Sequence, residues 1–114
     1  MNNNFPTRRS KSGGLVIEIG THLDNNNASV LLDQLMTAID KNQLPIYLDM
    51  KHCELLSSSG VGAIISNVEA ARAMGSDITL LQPRETVLVI LNTLGLTKML
   101  SIQQTRLEEM EGVS

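Results

Sequence analysis

Apolar and polar positions change rhythm several times along the chain, and each change marks an element. Leu15, Ile17 and Ile19 alternate with Val16 and Glu18, the two-residue pattern of a short strand. Asp24-Asn25-Asn26-Asn27 then supplies turn and helix-capping side chains. Leu31, Leu35, Ala38 and Ile39 recur at helical spacing and predict an amphipathic helix over 28–41. Residues 44–50 read as the second strand, with Pro45 tolerated at its entry. Within it Ile46, Leu48 and Met50 face one way, and Tyr47, Asp49 and Lys51 the other.

Ser57-Ser58-Ser59-Gly60 is a run of cap-forming residues. Val61, Ile64, Ile65, Val68 and Ala71 predict a second helix behind it, ending near Met74 with Gly75 as the stop. A third strand is expected over 77–81. Val87, Ile90, Leu91 and Leu94 then mark a third helix, with Pro83 in its first turn and Gly95 past its end. Residues 99–103 read as a short last strand. Thr105 and Glu108 have capping-box spacing and predict a terminal helix. Strands alternating with helices imply one α/β domain with a mostly parallel sheet of four to five strands and right-handed crossovers.

Charge and composition narrow the partners. Arg8, Arg9 and Lys11 give residues 1–14 a charge of +3 with no acid, so the rest of a chain of net −3 holds −6. The polar first fourteen residues read as a flexible terminal segment or a short edge strand, followed by the domain proper over 15–114. Phe5 and Tyr47 are the only aromatic residues, and an acidic chain without stacking rings is a poor nucleic-acid binder. The longest aliphatic run, Val87–Leu91, is far short of the ~20 residues that span a bilayer, so no membrane insertion is expected. The N-terminus lacks the apolar core of a signal peptide, and Cys53 stands alone. A cytoplasmic location is the corresponding expectation.

Candidate chemistry concentrates at Leu55-Leu56-Ser57-Ser58-Ser59-Gly60-Val61-Gly62, after a strand and at a helix opening. Free N–H groups and the helix dipole favour negative charge there, so a hydroxyl could carry a phosphate at little cost. Simple N-capping by serine, with glycines easing the turn, explains the same residues without any such chemistry. No Gly-x-x-x-x-Gly-Lys-Ser/Thr or Gly-x-Ser-x-Gly occurs, so a P-loop and a serine-hydrolase elbow are both disfavoured. His52 and Cys53 are adjacent and would point apart in extended chain; His22 reads as a turn residue and Cys53 as buried and inert. No metal-ligand spacing is present, and no catalytic set, metal or cofactor is expected. Asp49 reads as a solvent-facing residue on an uncovered sheet face, and Asp24 as a turn former. Scattered methionines, at 36, 50, 74 and 99, read as core filling.

Several of these segments together resemble the STAS domain, over roughly residues 15–110, and within it the bacterial anti-sigma factor antagonists. They are Gly20-Thr21-His22-Leu23-Asp24, Tyr47-Leu48-Asp49-Met50, Ser58-Ser59-Gly60-Val61-Gly62, Leu94-Gly95-Leu96 and Lys98-Met99-Leu100. The resemblance implies a STAS-like fold with helices packed mainly on one face of the sheet. It implies a non-enzymatic regulator that binds an anti-sigma factor, itself a serine kinase, and is phosphorylated by it. The family motif Asp-Ser-Ser/Thr-Gly-Leu/Val-Gly places the phosphoacceptor on Ser58 and sets Ser57 where the family has Asp. By the same analogy Ser57, Ser58, Ser59, Gly60, Val61 and Gly62 form the docking surface, with Asp24, Asn25 and Asn26 alongside. The alternative is a stand-alone STAS subunit of a membrane transporter of the lipid-trafficking ATP-binding-cassette type, in which this surface docks an ATPase. Monomer and weak dimer both remain open.

Overall fold

The computed structural model describes residues 4–105. Its elements, in chain order, are β1 (Thr7–Arg9), β2 (Leu15–Glu18), β3 (His22–Leu23), α1 (Ala28–Asp40), β4 (Ile46–Asp49), β5 (Leu55–Leu56), α2 (Ser58–Ala73), β6 (Ile78–Leu81), α3 (Glu85–Thr93) and β7 (Ser101–Gln103). Five strands form one sheet in the order β1-β2-β4-β6-β7, antiparallel between β1 and β2 and parallel elsewhere. β3 and β5 pair in parallel as a separate two-stranded ribbon.

From β2 onward the strand order always advances in the same direction. Right-handed crossovers in such a sheet must all return over the same face. The register confirms it: Leu15, Ile46 and Ile78 lie side by side, as do Ile17, Leu48 and Leu80. All six are buried in the cluster that also contains Leu31 and Leu35 of α1, Ile64 and Val68 of α2, and Val87 and Leu91 of α3. On the opposite face Val16, Tyr47 and Leu81 make a second, small apolar cluster.

Residues 7–9 show no apolar alternation, yet they pair with β2 through Thr7–Ile17 and Arg9–Leu15. Gln34 of α1 holds the chain just before this edge strand. Its side-chain oxygen accepts the Phe5 N–H at 2.7 Å, and its amide donates to the Phe5 carbonyl at 3.0 Å.

Several sequence expectations need correction. Asp49 does point to the face opposite the helices, but it is buried (7% exposed) rather than solvent-facing. Its carboxylate accepts the Lys51 N–H at 3.2 Å and pairs with the Lys51 ammonium at 3.4 Å, so the charge is partnered where it is covered. Of the four methionines read as core filling only Met50 is buried; Met36, Met74 and Met99 are about half exposed. Pro83 lies before the α3 cap residue Arg84, not in the first turn. Leu94 is the exposed C-cap of α3 rather than part of its buried stripe. His22 is not a plain turn residue but half of β3. The terminal helix expected from Thr105 onward lies outside the described residues.

Candidate functional site

At the opening of α2 three consecutive serines have three different fates. Ser57 is the N-cap, with extended backbone (φ −89°, ψ 167°), and its hydroxyl accepts the Gly60 N–H at 3.2 Å. Its own N–H donates to the Leu23 carbonyl at 2.9 Å, tying the cap to β3. Ser59 donates its hydroxyl to the side-chain oxygen of Asn25 at 2.5 Å. Ser58, between them, is exposed, and among the described residues none hydrogen bonds to its hydroxyl. The first backbone bond of the helix runs from Val61 N–H to the Ser57 carbonyl at 3.0 Å. The N–H groups of Ser58 and Ser59 precede it and present the positive end of a 16-residue helix.

The two glycines of the motif differ in the same way. Gly60 is buried against β3: a β-carbon there would meet Leu23 Cγ at 2.7 Å and the Leu23 carbonyl oxygen at 2.9 Å. Gly62 is exposed, and a β-carbon on it would meet nothing within 4 Å. A glycine inside a helix costs about 1 kcal/mol relative to alanine. Among the described residues nothing packs against Gly62 to offset that cost, whereas the close packing on Leu23 accounts for Gly60. Val61 between them is buried in the core and holds the helix down; it is not available as a surface contact.

The turn between β3 and α1 stands beside this helix end. Asp24 is half-buried, and its carboxylate accepts the Asn26 N–H at 2.9 Å. Asn27 occupies the cap position of α1 without capping it. Its side chain instead accepts the Asp24 N–H at 2.9 Å and donates to the His22 carbonyl at 3.0 Å. Asn25 and Asn26 are left exposed at the tip. The organising role of Asn27, and of Leu23 as the seat of Gly60, had no signal in the sequence beyond the asparagine run itself.

Other candidates separate from this site. Cys53 is fully buried, with its thiol donating to the Leu55 carbonyl at 3.4 Å. Burial pushes the thiol pKa up, outweighing its backbone hydrogen bonds, so it is not poised as a thiolate nucleophile. His22 and His52, thirty residues apart in sequence, line one cleft of about 410 Å³ together with Glu18 and Asp49. Among the described residues no group of three or more His, Cys, Asp or Glu side chains is placed to hold a metal ion. No described helix is long and apolar enough to cross a membrane.

The STAS domain family model matches residues 5–109. An anti-sigma F factor antagonist of Paenibacillus polymyxa is 26% identical over 106 residues, which is 90% of this chain and 91% of that protein. Among solved structures, a Thermotoga maritima protein described as a candidate anti-sigma factor antagonist superposes with a TM-score of 0.82 at 22% identity, covering 96% of this chain and 93% of its own. Bacillus SpoIIAA in its phosphorylated form gives a TM-score of 0.74 at 22% identity, covering 96% and 99%. The unphosphorylated SpoIIAA structure gives 0.74 at 19% identity, covering 94% and 93%. These structural likenesses establish the fold: a five-stranded, mostly parallel sheet with three helices. The family match spans nearly the whole chain, and the protein belongs to the STAS domain family as a distant relative of the anti-sigma factor antagonists, which are regulators and not enzymes.

Proposed function

We propose that the protein is an anti-sigma factor antagonist that works by partner switching, with Ser58 as its phosphoacceptor. The observation that carries this reading is the division of labour among the serines. Ser57 and Ser59 spend their hydroxyls inside the fold, and Ser58 alone presents an exposed hydroxyl that the fold does not use. In the unmodified state the start of α2 and the Asp24–Asn26 tip dock on an anti-sigma factor with serine-kinase activity, releasing the sigma factor. Gly62 supports this, because a bare helix surface lets a partner backbone approach closely.

Phosphorylation forms a bond between Ser58 Oγ and the γ-phosphorus of ATP and breaks the bond to ADP. The hydroxyl proton leaves to a base on the kinase. The product carries about −1.5 to −2 additional charge in the contact surface. Repulsion and desolvation of about 3 kcal/mol would lower affinity by about two decades. Ser57 also fits the scheme, since serine and aspartate cap helices equally well and the place of the family Asp is structurally filled.

Incubation of the chain with a cognate kinase and ATP, followed by mass spectrometry of intact protein and peptides, tests the reading. One phosphate on Ser58 is expected, with S58A binding the kinase constitutively and S58D binding it weakly. No mass gain at Ser58, together with binding indifferent to S58D, would sink it.

A further inference from the structure

We infer that Ser59 is a positioning residue, whose hydroxyl holds the Asn25–Asn26 tip against the start of α2 so that both segments meet a partner as one rigid surface. The inference rests on the docking reading above and goes beyond it by separating contact from support. Among the described residues, two hydrogen bonds and one close packing contact join the opening of α2 to the β3–α1 connection. Two are built from backbone and close packing: Ser57 N–H on the Leu23 carbonyl, and Gly60 against the Leu23 side chain. Both end at Leu23, at the root of the turn. Only the third, Ser59 Oγ to Asn25 Oδ1, reaches its exposed tip, across 34 positions of sequence.

Side-chain bonds fix the local shape of the rest of the turn. Asp24 accepts Asn26 N–H, and Asn27 accepts Asp24 N–H and donates to the His22 carbonyl. The base of the turn is also tied into α1, which packs on α2, by Ala28 N–H on the Asp24 carbonyl and Val30 and Leu31 N–H on the Asn27 carbonyl; the Asn25–Asn26 tip lies outside those bonds. A two-residue ribbon and a polar turn bury little apolar surface, so one side-chain bond at the tip is a large share of what restrains it. Removing it leaves the partner to pay the ordering entropy on binding, which appears mainly as faster dissociation.

Variants S59A, S59T and N25A of the full chain test this with two independent readouts. Amide hydrogen exchange of the free protein reports the turn directly. S59A should accelerate exchange at Asn26 and Asn27 by about five- to tenfold, with α2 amides beyond the first turn unchanged, and S59T should restore wild-type exchange. Dissociation from the kinase partner should speed up by about five- to tenfold in S59A and stay within about twofold in S59T, while in the free protein N25A, which removes the same bond, should accelerate turn exchange as S59A does, with no further increase in the S59A/N25A pair. Unchanged exchange in S59A overturns the positioning role. Faster exchange with unchanged dissociation overturns its relevance to docking. If the wild-type chain binds no such kinase, the docking half fails with the functional reading, and exchange still decides whether Ser59 restrains the turn.

Discussion

Gly60 stands so close to Leu23 that a β-carbon at residue 60 would lie 2.7 Å from Leu23 Cγ. Leu23 is completely buried and cannot swing aside, and its carbonyl accepts the Ser57 N–H, so any shift there moves the cap of α2. Gly60→Ala should therefore cost about 1–3 kcal/mol despite alanine's better helix propensity. Gly62→Ala should do the opposite, stabilising the chain by up to about 1 kcal/mol, because its β-carbon enters open space. Urea unfolding of both variants checks the pair; under the docking reading, the more stable Gly62→Ala is also the weaker binder.

A phosphate on Ser58 should stabilise this fold. It would lie at the N-terminus of a 16-residue helix, where negative charge is worth about 0.3–1 kcal/mol. Because residue 57 is a serine, no carboxylate opposes it from the preceding position. Thermal unfolding of the phosphorylated and unmodified chains should show the phosphorylated form melting a few degrees higher. S57D should preserve capping in the unmodified chain and remove most of the phosphate-dependent gain through like-charge repulsion.

Asp77 should contribute acid-sensitive stability. Burial by itself would raise its pKa. Hydrogen bonds from Ser101, from the Ile78 N–H and from Arg72, with the Arg72 charge, outweigh that and hold it below the ordinary 3.8. The carboxylate thereby links the end of α2, β6 and β7, with Arg72 Nε at 3.1 Å and Ser101 Oγ at 2.5 Å. Since the folded-state pKa is the lower one, the contribution is complete above the unfolded-state range near pH 4 and is lost as pH falls through the folded value. The group is about one-third exposed, so screening limits its charge contribution to about 1 kcal/mol. Unfolding free energies of wild type and D77N should differ by about that amount at pH 6 and converge at the acid end.

Cys53 should be chemically silent in the native state. It is fully buried and its thiol pKa is raised, first by desolvation. Labelling with a maleimide at pH 7.5 should run about a thousandfold slower than in denaturant, at the rate set by opening of the fold. Fast labelling with retained structure would mean that the β4–β5 connection opens independently.

By itself the chain determined the main strands and helices from residue 15 onward, though not the β3–β5 ribbon, and with them the α/β alternation. Leu31, Leu35, Ala38 and Ile39, or Val61, Ile64 and Val68, record their burial in their spacing, because periodicity is a local property. The serine run at a helix opening was equally local, but only the family resemblance singled out Ser58 in it as the candidate phosphoacceptor. Tertiary structure alone decided that Thr7–Arg9 is a strand, since an edge strand can take its hydrogen bonds from a partner without needing an apolar pattern of its own. It decided that Asp49 is covered, because its surroundings come from register with Glu18 and Leu81 on neighbouring strands. It also told the three serines apart. Their sequence is uniform, but one faces its own helix backbone, one faces Asn25 across 34 positions, and one faces solvent, and only the packing of α2 on β3 makes those environments different.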